Sequence, residues 1–229
     1  MVSDPNNPNS VAYNSRNKRM QMFISALQGA RISNAIILDV GGTYKYWEKY
    51  ASMLPNGLIK RIDIVNLLEQ VKDLHGQEKE IAGIKLRFLG LNLITDDKSC
   101  LEEQYDVVHS ISVIEHVGSR AAQQQMCEQI RSLGRYHWVQ TPAKEFPLEA
   151  HFYLPFFAYW PLYLRAFMNW RFRLGVMQRH RNWHEALEFC RSTRLLTKRQ
   201  MRTFFPNSHI WTERLYLLPK CYIAHNLDN

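Results

Sequence analysis

The sequence predicts a doubly wound α/β domain on one mostly parallel sheet, and three observations carry that prediction. Apolar, strand-like runs alternate with helical spacings about five times along the first two thirds of the chain. The first such run, Ile36-Ile37-Leu38-Asp39-Val40, ends in Gly41-Gly42-Thr43, which is how a buried parallel strand looks as it enters a tight turn. Glycines at that point let the backbone turn left-handed and approach a ligand closely, with the N–H groups of a following helix facing the same place. The last two strand-like runs have no helix between them, so they predict an antiparallel edge and bring the strand count to seven.

Each element follows from local pattern. Residues 1–15 are rich in Asn, Ser and Pro with almost no apolar content and read as a disordered lead-in. A single domain is expected over 16–229. Met20, Phe23, Ile24 and Leu27 fall at helical spacing between Arg16 and Leu27. After the opening strand at about 35–40, Tyr46, Trp47, Tyr50 and Met53 suit a short helix, closed by the turn Pro55-Asn56-Gly57. Leu58–Leu67 is a second strand ending near Asn66, followed by a polar stretch with a helical turn or two. Ile84–Leu93 is a third strand and Tyr105–Ile111 a fourth. Ser119 caps a helix with Ala122, Met126, Ile130 and Leu133 on one face. Tyr136–Thr141 is a fifth strand, stopped by Pro142. Residues 143–185 break the rhythm with many aromatics and prolines and predict a lid insertion over the site with one or two short helices. Thr197 to Gln200 fits a capping box, and 210–217 with 220–224 form the closing pair.

Composition narrows the function classes. The chain has 229 residues and a formal charge of +8, and one segment holds the excess: between Trp160 and Arg202 stand ten Lys or Arg against two acids. Four widely spaced cysteines make no CxxC pair or metal-ligand spacing and read as free thiols. No apolar run spans a membrane and no apolar leader opens the chain, so a cytoplasmic location is expected.

Several motifs in order resemble one family. The turn LDVGGT, the segment YDVVHSISVIEHVGS (105–119), WVQTPAKEFPLEAHFYLPF (138–156) and the tail RLLTKRQMRTFFPNSHIWTERLYLLPKCYIA (194–224) are similar to class I S-adenosylmethionine-dependent methyltransferases. The resemblance covers about 16–224 and implies a Rossmann-like sheet and S-adenosyl-L-methionine as cofactor. It further implies that Asp39, Gly41, Gly42 and Thr43 hold the methionine moiety, although the commoner GxGxG is replaced here by Gly41-Gly42-Thr43-Tyr44-Lys45. For the ribose hydroxyls, Asp63 and Asn66 compete. Asn66 is favoured because it ends the strand and an amide both donates and accepts. The adenine position falls to Asn92 or to main-chain groups, since the usual acid is absent from Gly90-Leu91-Asn92. Ser110, Ile111 and Ser112 are expected beside the sulfonium.

For catalysis, His151 follows the fifth strand at the mouth of the expected site and is the candidate base taking a proton from the acceptor, with Glu149 to orient it or bind the substrate and His116 beside the acceptor pocket. Some relatives hold a divalent metal through an ExxEH motif. Here Ser112 replaces the first Glu, so a metal on Glu115, His116 and His151 is the lesser reading, and a metal-free site is expected. The reaction implied is methyl transfer to an O or N nucleophile, driven by alignment in a desolvated site. The aromatics of the lid would exclude water and face the cationic donor. The acceptor is expected to be a small molecule or a lipid- or glycan-linked group. Residues 152–173 mix aromatics with Arg165, Arg171 and Arg173 and suit peripheral contact with an anionic membrane. Two alternatives remain: a cofactor-binding regulatory protein on the same fold, and a nucleic-acid methyltransferase using the basic 160–202 segment. The latter ranks lower because no nucleic-acid-binding motif accompanies the charge.

Overall fold

A computed structural model describes residues 10–147, 154–174 and 179–227. Eight strands form one sheet: β1 (Ala35–Val40), β2 (Ile59–Asn66), β3 (Glu78–Ile81), β4 (Ile84–Gly90), β5 (Tyr105–Ile111), β6 (Gly134–Pro142), β7 (His209–Leu215) and β8 (Leu218–His225). Their spatial order is β3-β4-β2-β1-β5-β6-β8-β7. The five strands β4, β2, β1, β5 and β6 pair in parallel. The outer pairings β3/β4, β6/β8 and β7/β8 are antiparallel. The chain winds outward from β1 in one direction through β2 and β4, then returns to wind in the other through β5 and β6. The order therefore reverses between β1 and β5, the place where α/β sheets open a crevice beyond their carboxyl ends.

Alternation along the strands builds two cores. On β1, Ala35 and Ile37 join the layer formed with Met20, Phe23, Ile24 and Leu27 of α1 (Val11–Gly29) and Trp47 of α2 (Tyr44–Tyr50). Leu38 and Val40 join the opposite layer, with Met126 and Ile130 of α4 (Arg120–Leu133) and Met201 and Phe204 of α7 (Lys198–Phe204). This period of two, on strands buried from both sides, is why the opening strand reads as continuous apolar sequence interrupted only by Asp39. The caps expected at Ser119 and Thr197 are present. Ser119 Oγ accepts from Ala122 N at 3.1 Å, and Thr197 and Gln200 form a reciprocal capping box.

Two features differ from expectation. First, α1 begins at Val11, five residues before the expected start, with Ser10 Oγ capping Tyr13 N at 3.0 Å. Tertiary contacts recruit this polar turn: Lys220 Nζ donates to Ser15 Oγ at 2.6 Å, and the Lys49 ammonium lies 4.8 Å from the Tyr13 ring centroid. Second, the sheet has eight strands rather than seven. The added β3 pairs with β4 through a two-residue turn in which Ala82 and Gly83 both have positive φ, 50° and 79°. Its Glu-Lys-Glu sequence is exposed and carries no alternation to detect. The insertion after β6 carries the short helical pieces expected of it, a 3₁₀ turn at 157–159 and α5 (Leu162–Arg171), and α6 (Trp183–Ser192) follows. Its aromatics are mainly exposed, Tyr163 at 63% and Phe156 at 59%. None of the four cysteines forms a disulfide, and among the described residues no helix is long and apolar enough to cross a membrane.

Candidate active site

The carboxyl ends of β1, β2, β4 and β5 converge on the turn Gly41-Gly42. Gly41 has φ +74°, and a Cβ there would meet Val113 Cγ2 at 2.3 Å. A Cβ on Gly42 would lie 1.7 Å from Asp39 Oδ2. The two glycines are therefore required for different reasons: one by backbone conformation and by the segment after β5, the other by the carboxylate folded back beneath the turn.

Asp39 is 1% exposed. Its Oδ2 accepts from Trp47 Nε1 at 2.7 Å, and its Oδ1 is 2.8 Å from His109 Nδ1. A carboxylate only accepts, so Nδ1 is the protonated nitrogen of His109. The His109 ring is enclosed by Phe23, Trp47 and Tyr46, with centroids at 5.0, 5.2 and 5.7 Å. Burial, then the neighbouring Asp39 charge, raises the Tyr46 phenol well above its ordinary range, so it stays a neutral hydroxyl. Asp39 thus locks the turn between β1, α2 and β5.

Two clefts flank this turn. One, of about 310 Å³, is lined by Gly41, Asn66, Leu67, Leu91, Asn92, Val113, His116, Val117 and Met126 among others. The other, of about 380 Å³, is lined by Thr43, Tyr46, Ile111, Ser112, Trp138 and Gln140, with Arg16, Arg19, Lys45 and Lys49 also on its wall. Thr43 also caps α2, accepting from Tyr46 N at 3.3 Å. Ser112 has φ +55°, an uncommon conformation for serine and one that clusters at functional sites. Its N–H donates to Gln140 O at 2.9 Å.

The two ribose candidates separate. Asn66 stands at the end of β2 in the first cleft, its Nδ2 donating to Gly42 O at 3.3 Å and its Oδ1 accepting from Leu67 N at 3.0 Å. Asp63 lies one strand-turn deeper and is fully buried. Its carboxylate accepts from Arg87 Nε at 3.0 Å, from Arg87 Nη2 at 2.5 Å and from Tyr105 Oη at 2.8 Å, with Arg61 Nε 3.1 Å away. That makes Asp63 the counter-ion of a β2–β4 arginine pair, away from the cleft. Asn92 lines the cleft, but its Oδ1 is used to accept from Ile94 N at 3.0 Å. Ser110 is buried and donates to Val40 O at 3.1 Å, clamping β5 to β1, so it supports the site from below.

Of the residues proposed for catalysis, His116 is the one among the described residues. His116 is exposed on the rim of the first cleft, its Nδ1 3.4 Å from Thr193 Oγ1. Glu115 is fully buried and its Oε2 accepts from Thr141 Oγ1 at 3.0 Å. A shared metal would need those two neighbours on one side of the chain. Among the described residues no group of three His, Cys, Asp or Glu is placed to hold an ion. His151 and Glu149 lie outside the described residues. Of the expected lid, 148–153 and 175–178 lie outside the described residues, and among the described residues no side chain from 154–174 lines either cleft. Phe157, Ala158, Leu162 and Arg165 instead line a third cavity.

Sequence reasoning missed His109, Trp47 and Gln140. Gln140 is 4% exposed, lines the second cleft, and its Oε1 meets no donor among the described residues. Such a buried acceptor calls for a partner. The only sequence signal for it was the polar residue inside the fifth strand's apolar run.

No protein-family model matches the chain, and no curated protein matches it. Solved structures match by shape. Magnesium protoporphyrin IX methyltransferase (ChlM) from Synechocystis PCC 6803 with bound SAM gives a TM-score of 0.50 at 9% identity, covering 94% of this chain and 81% of that one. Its form with bound SAH gives 0.50 at 11% identity, covering 94% and 84%. A Rhodobacter sphaeroides protein named as a zinc-dependent alcohol dehydrogenase gives 0.50 at 9% identity, covering 88% and 87%. At such identities the likeness speaks for the fold, and fold does not choose function. The chain has the doubly wound fold that ChlM has.

Proposed function

We propose that this protein is an S-adenosylmethionine-dependent methyltransferase acting on a small-molecule or lipid-linked acceptor. One observation carries the reading: a double-glycine turn at the point of strand reversal, with a cleft on each side of it. The residues present fit the cofactor. The glycines let the turn pack directly on Val113 and on the Asp39 carboxylate, where a Cβ would clash. Asn66 offers an amide suited to paired hydroxyls, and Leu91, Val113, Val117 and Met126 offer apolar walls for a flat ring. On the other side, Gln140 brings a buried acceptor that meets no donor among the described residues.

When bound, S-adenosylmethionine supplies an electrophilic methyl group on a sulfonium. The chain's own residues do the rest. Asp39, by holding Trp47 and His109, keeps the turn rigid. Tyr46 stays protonated and presents a hydroxyl to the second cleft, and Gln140 orients a donor on whatever enters. Alignment and exclusion of water supply most of the acceleration in such a transfer. The base proposed from sequence is His151, with Glu149 as its partner.

Calorimetric titration with S-adenosylmethionine tests the reading. Saturable binding that Gly42→Ala abolishes is the expected result, and absence of binding by the native chain overturns it. A methyl-transfer screen across acceptor classes, extracted lipids included, then identifies the acceptor, with His151→Ala as the probe of the base.

A further inference from the structure

The third cavity, about 370 Å³, lies on the α4 and α7 side of the sheet between the insertion and the segment before α7. Five cationic side chains line it: Arg120 from α4, Lys144 after β6, Arg165 from α5, Arg191 from α6 and Arg194 from the strap that follows. Among the described lining residues there is no carboxylate. Arg191 is paired with Glu188 at 3.1 Å. Arg165 Nε is buried and meets no acceptor among the described residues. Phe157, Leu162 and Leu195 supply an apolar floor.

Buried contacts hold these walls in place. Gln123 Nε2 donates to Ile114 O at 3.0 Å and to Arg194 O at 2.9 Å, fixing the strap to α4. Arg194 N donates to Glu115 O at 2.6 Å, and Lys144 N to Leu196 O at 3.0 Å. Ala166 and Ala186, both fully buried, let α5 and α6 approach closely, and Asn169 Nδ2 reaches Cys190 Sγ at 3.3 Å. Lys144 and Arg120 are steadied over the rings of Tyr159 and Phe204 at 5.4 and 5.2 Å. Gathering cations from separate elements into one concavity without acids is electrostatically costly, and a multivalent anion removes the cost. Guanidinium forks arriving from several directions match tetrahedral phosphate oxygens better than a single flat carboxylate.

We propose that this cavity binds a phosphate-bearing ligand of about diphosphate size. The site is separate from the double-glycine turn, and the proposal stands whether or not the chain transfers methyl groups.

The test is calorimetric titration of the full chain with inorganic pyrophosphate. One saturable site is expected, weakened about tenfold or more in the Arg165→Gln/Arg194→Gln double variant. Arg194→Gln alone, at an exposed position, gives a smaller loss in the same direction and serves if the double variant does not fold. Absence of saturable binding by the native chain, or unchanged binding by the variants, overturns the proposal. Co-sedimentation with phosphatidic-acid vesicles separates the ligand sources. Sedimentation that pyrophosphate abolishes assigns the cavity to a lipid phosphate, and pyrophosphate binding without sedimentation assigns it to a soluble one. Sedimentation without pyrophosphate binding overturns the cavity and leaves only a basic surface. Parallel titration with S-adenosylmethionine keeps the two readings distinct, since either ligand can fail alone.

Discussion

Replacing Gly42 with alanine adds one carbon at the most constrained point of the molecule. That carbon would lie 1.7 Å from Asp39 Oδ2, where ordinary contact begins near 3.4 Å, so the turn or the carboxylate must give by about 1.7 Å. The carboxylate is held by Trp47 Nε1 at 2.7 Å and His109 Nδ1 at 2.8 Å, and neither bond survives such a displacement. Hydrogen bonds to a charged group contribute about 1.5–3 kcal/mol each. Moving the turn instead costs about 1–3 kcal/mol in overpacking. The smaller route sets the outcome, so a loss of about 1–3 kcal/mol by urea denaturation is expected. The variant remains folded at room temperature, because a domain's total stability is about 5–15 kcal/mol. A double-mutant cycle isolates the cause. Asp39→Ala already removes the obstructing carboxylate, so adding Gly42→Ala to it costs little, and the coupling should be about 2 kcal/mol. Gly57→Ala is the control: φ is +75° with open space around the site, so it loses about 1 kcal/mol from left-handed strain. Additivity of the Asp39 and Gly42 changes within about 0.5 kcal/mol, or native stability in Gly42→Ala, would refute the reasoning.

Two further predictions rest on charge and position. Asn66→Ala should weaken S-adenosylmethionine binding about tenfold by calorimetry with under about 1 kcal/mol of destabilisation. Asp63→Asn should do the opposite, losing about 1–3 kcal/mol because Arg87 and Arg61, each about a quarter exposed, lose their counter-charge. Its cofactor affinity should stay within about twofold. Equal effects of the two on affinity would contradict the separation seen between strand interior and cleft. His137 provides a pH dependence: burial first, then the nearby His225 and Arg131, lowers it to about 4. The unfolded chain therefore binds the proton more readily than the folded one between about pH 6.5 and 4. The stabilising contribution is complete above about pH 6.5 and is lost as pH falls through that window, amounting to about 3 kcal/mol. Melting temperatures measured across the window should fall less steeply in His137→Gln than in the native chain, and parallel curves would remove His137 as the cause.

How far the sequence reaches varies with the kind of information. The strand ending at Asn66, the fourth strand Tyr105–Ile111 and the caps at Ser119 and Thr197 were legible because each is a local pattern. The start of α1 was not, since its polar first turn is held by Lys220 and Lys49 from distant parts of the chain. Strand β3 escaped because an exposed edge strand need not alternate. Of the residues named from motif order, Gly41, Asn66, Asn92 and Ser112 line the two clefts. Asn66, favoured over Asp63 as the residue that ends the strand, lines the first cleft while Asp63 binds Arg87.

The sequence by itself determined the doubly wound architecture and the double-glycine turn, because alternation, helical spacing and glycine conformational freedom act over a few residues. Tertiary structure decided what those residues do. Asp39 reads as a ligand-facing acid in sequence, yet its oxygens are held by Trp47 and His109. The aromatic insertion reads as a lid, and its described side chains divide between the surface, a buried contact of α5 with α6 and a basic cavity. The basic segment becomes a concavity only when α4, α5, α6 and the strap at 193–195 meet. Convergence of charges from distant positions follows from packing, and no local pattern encodes it.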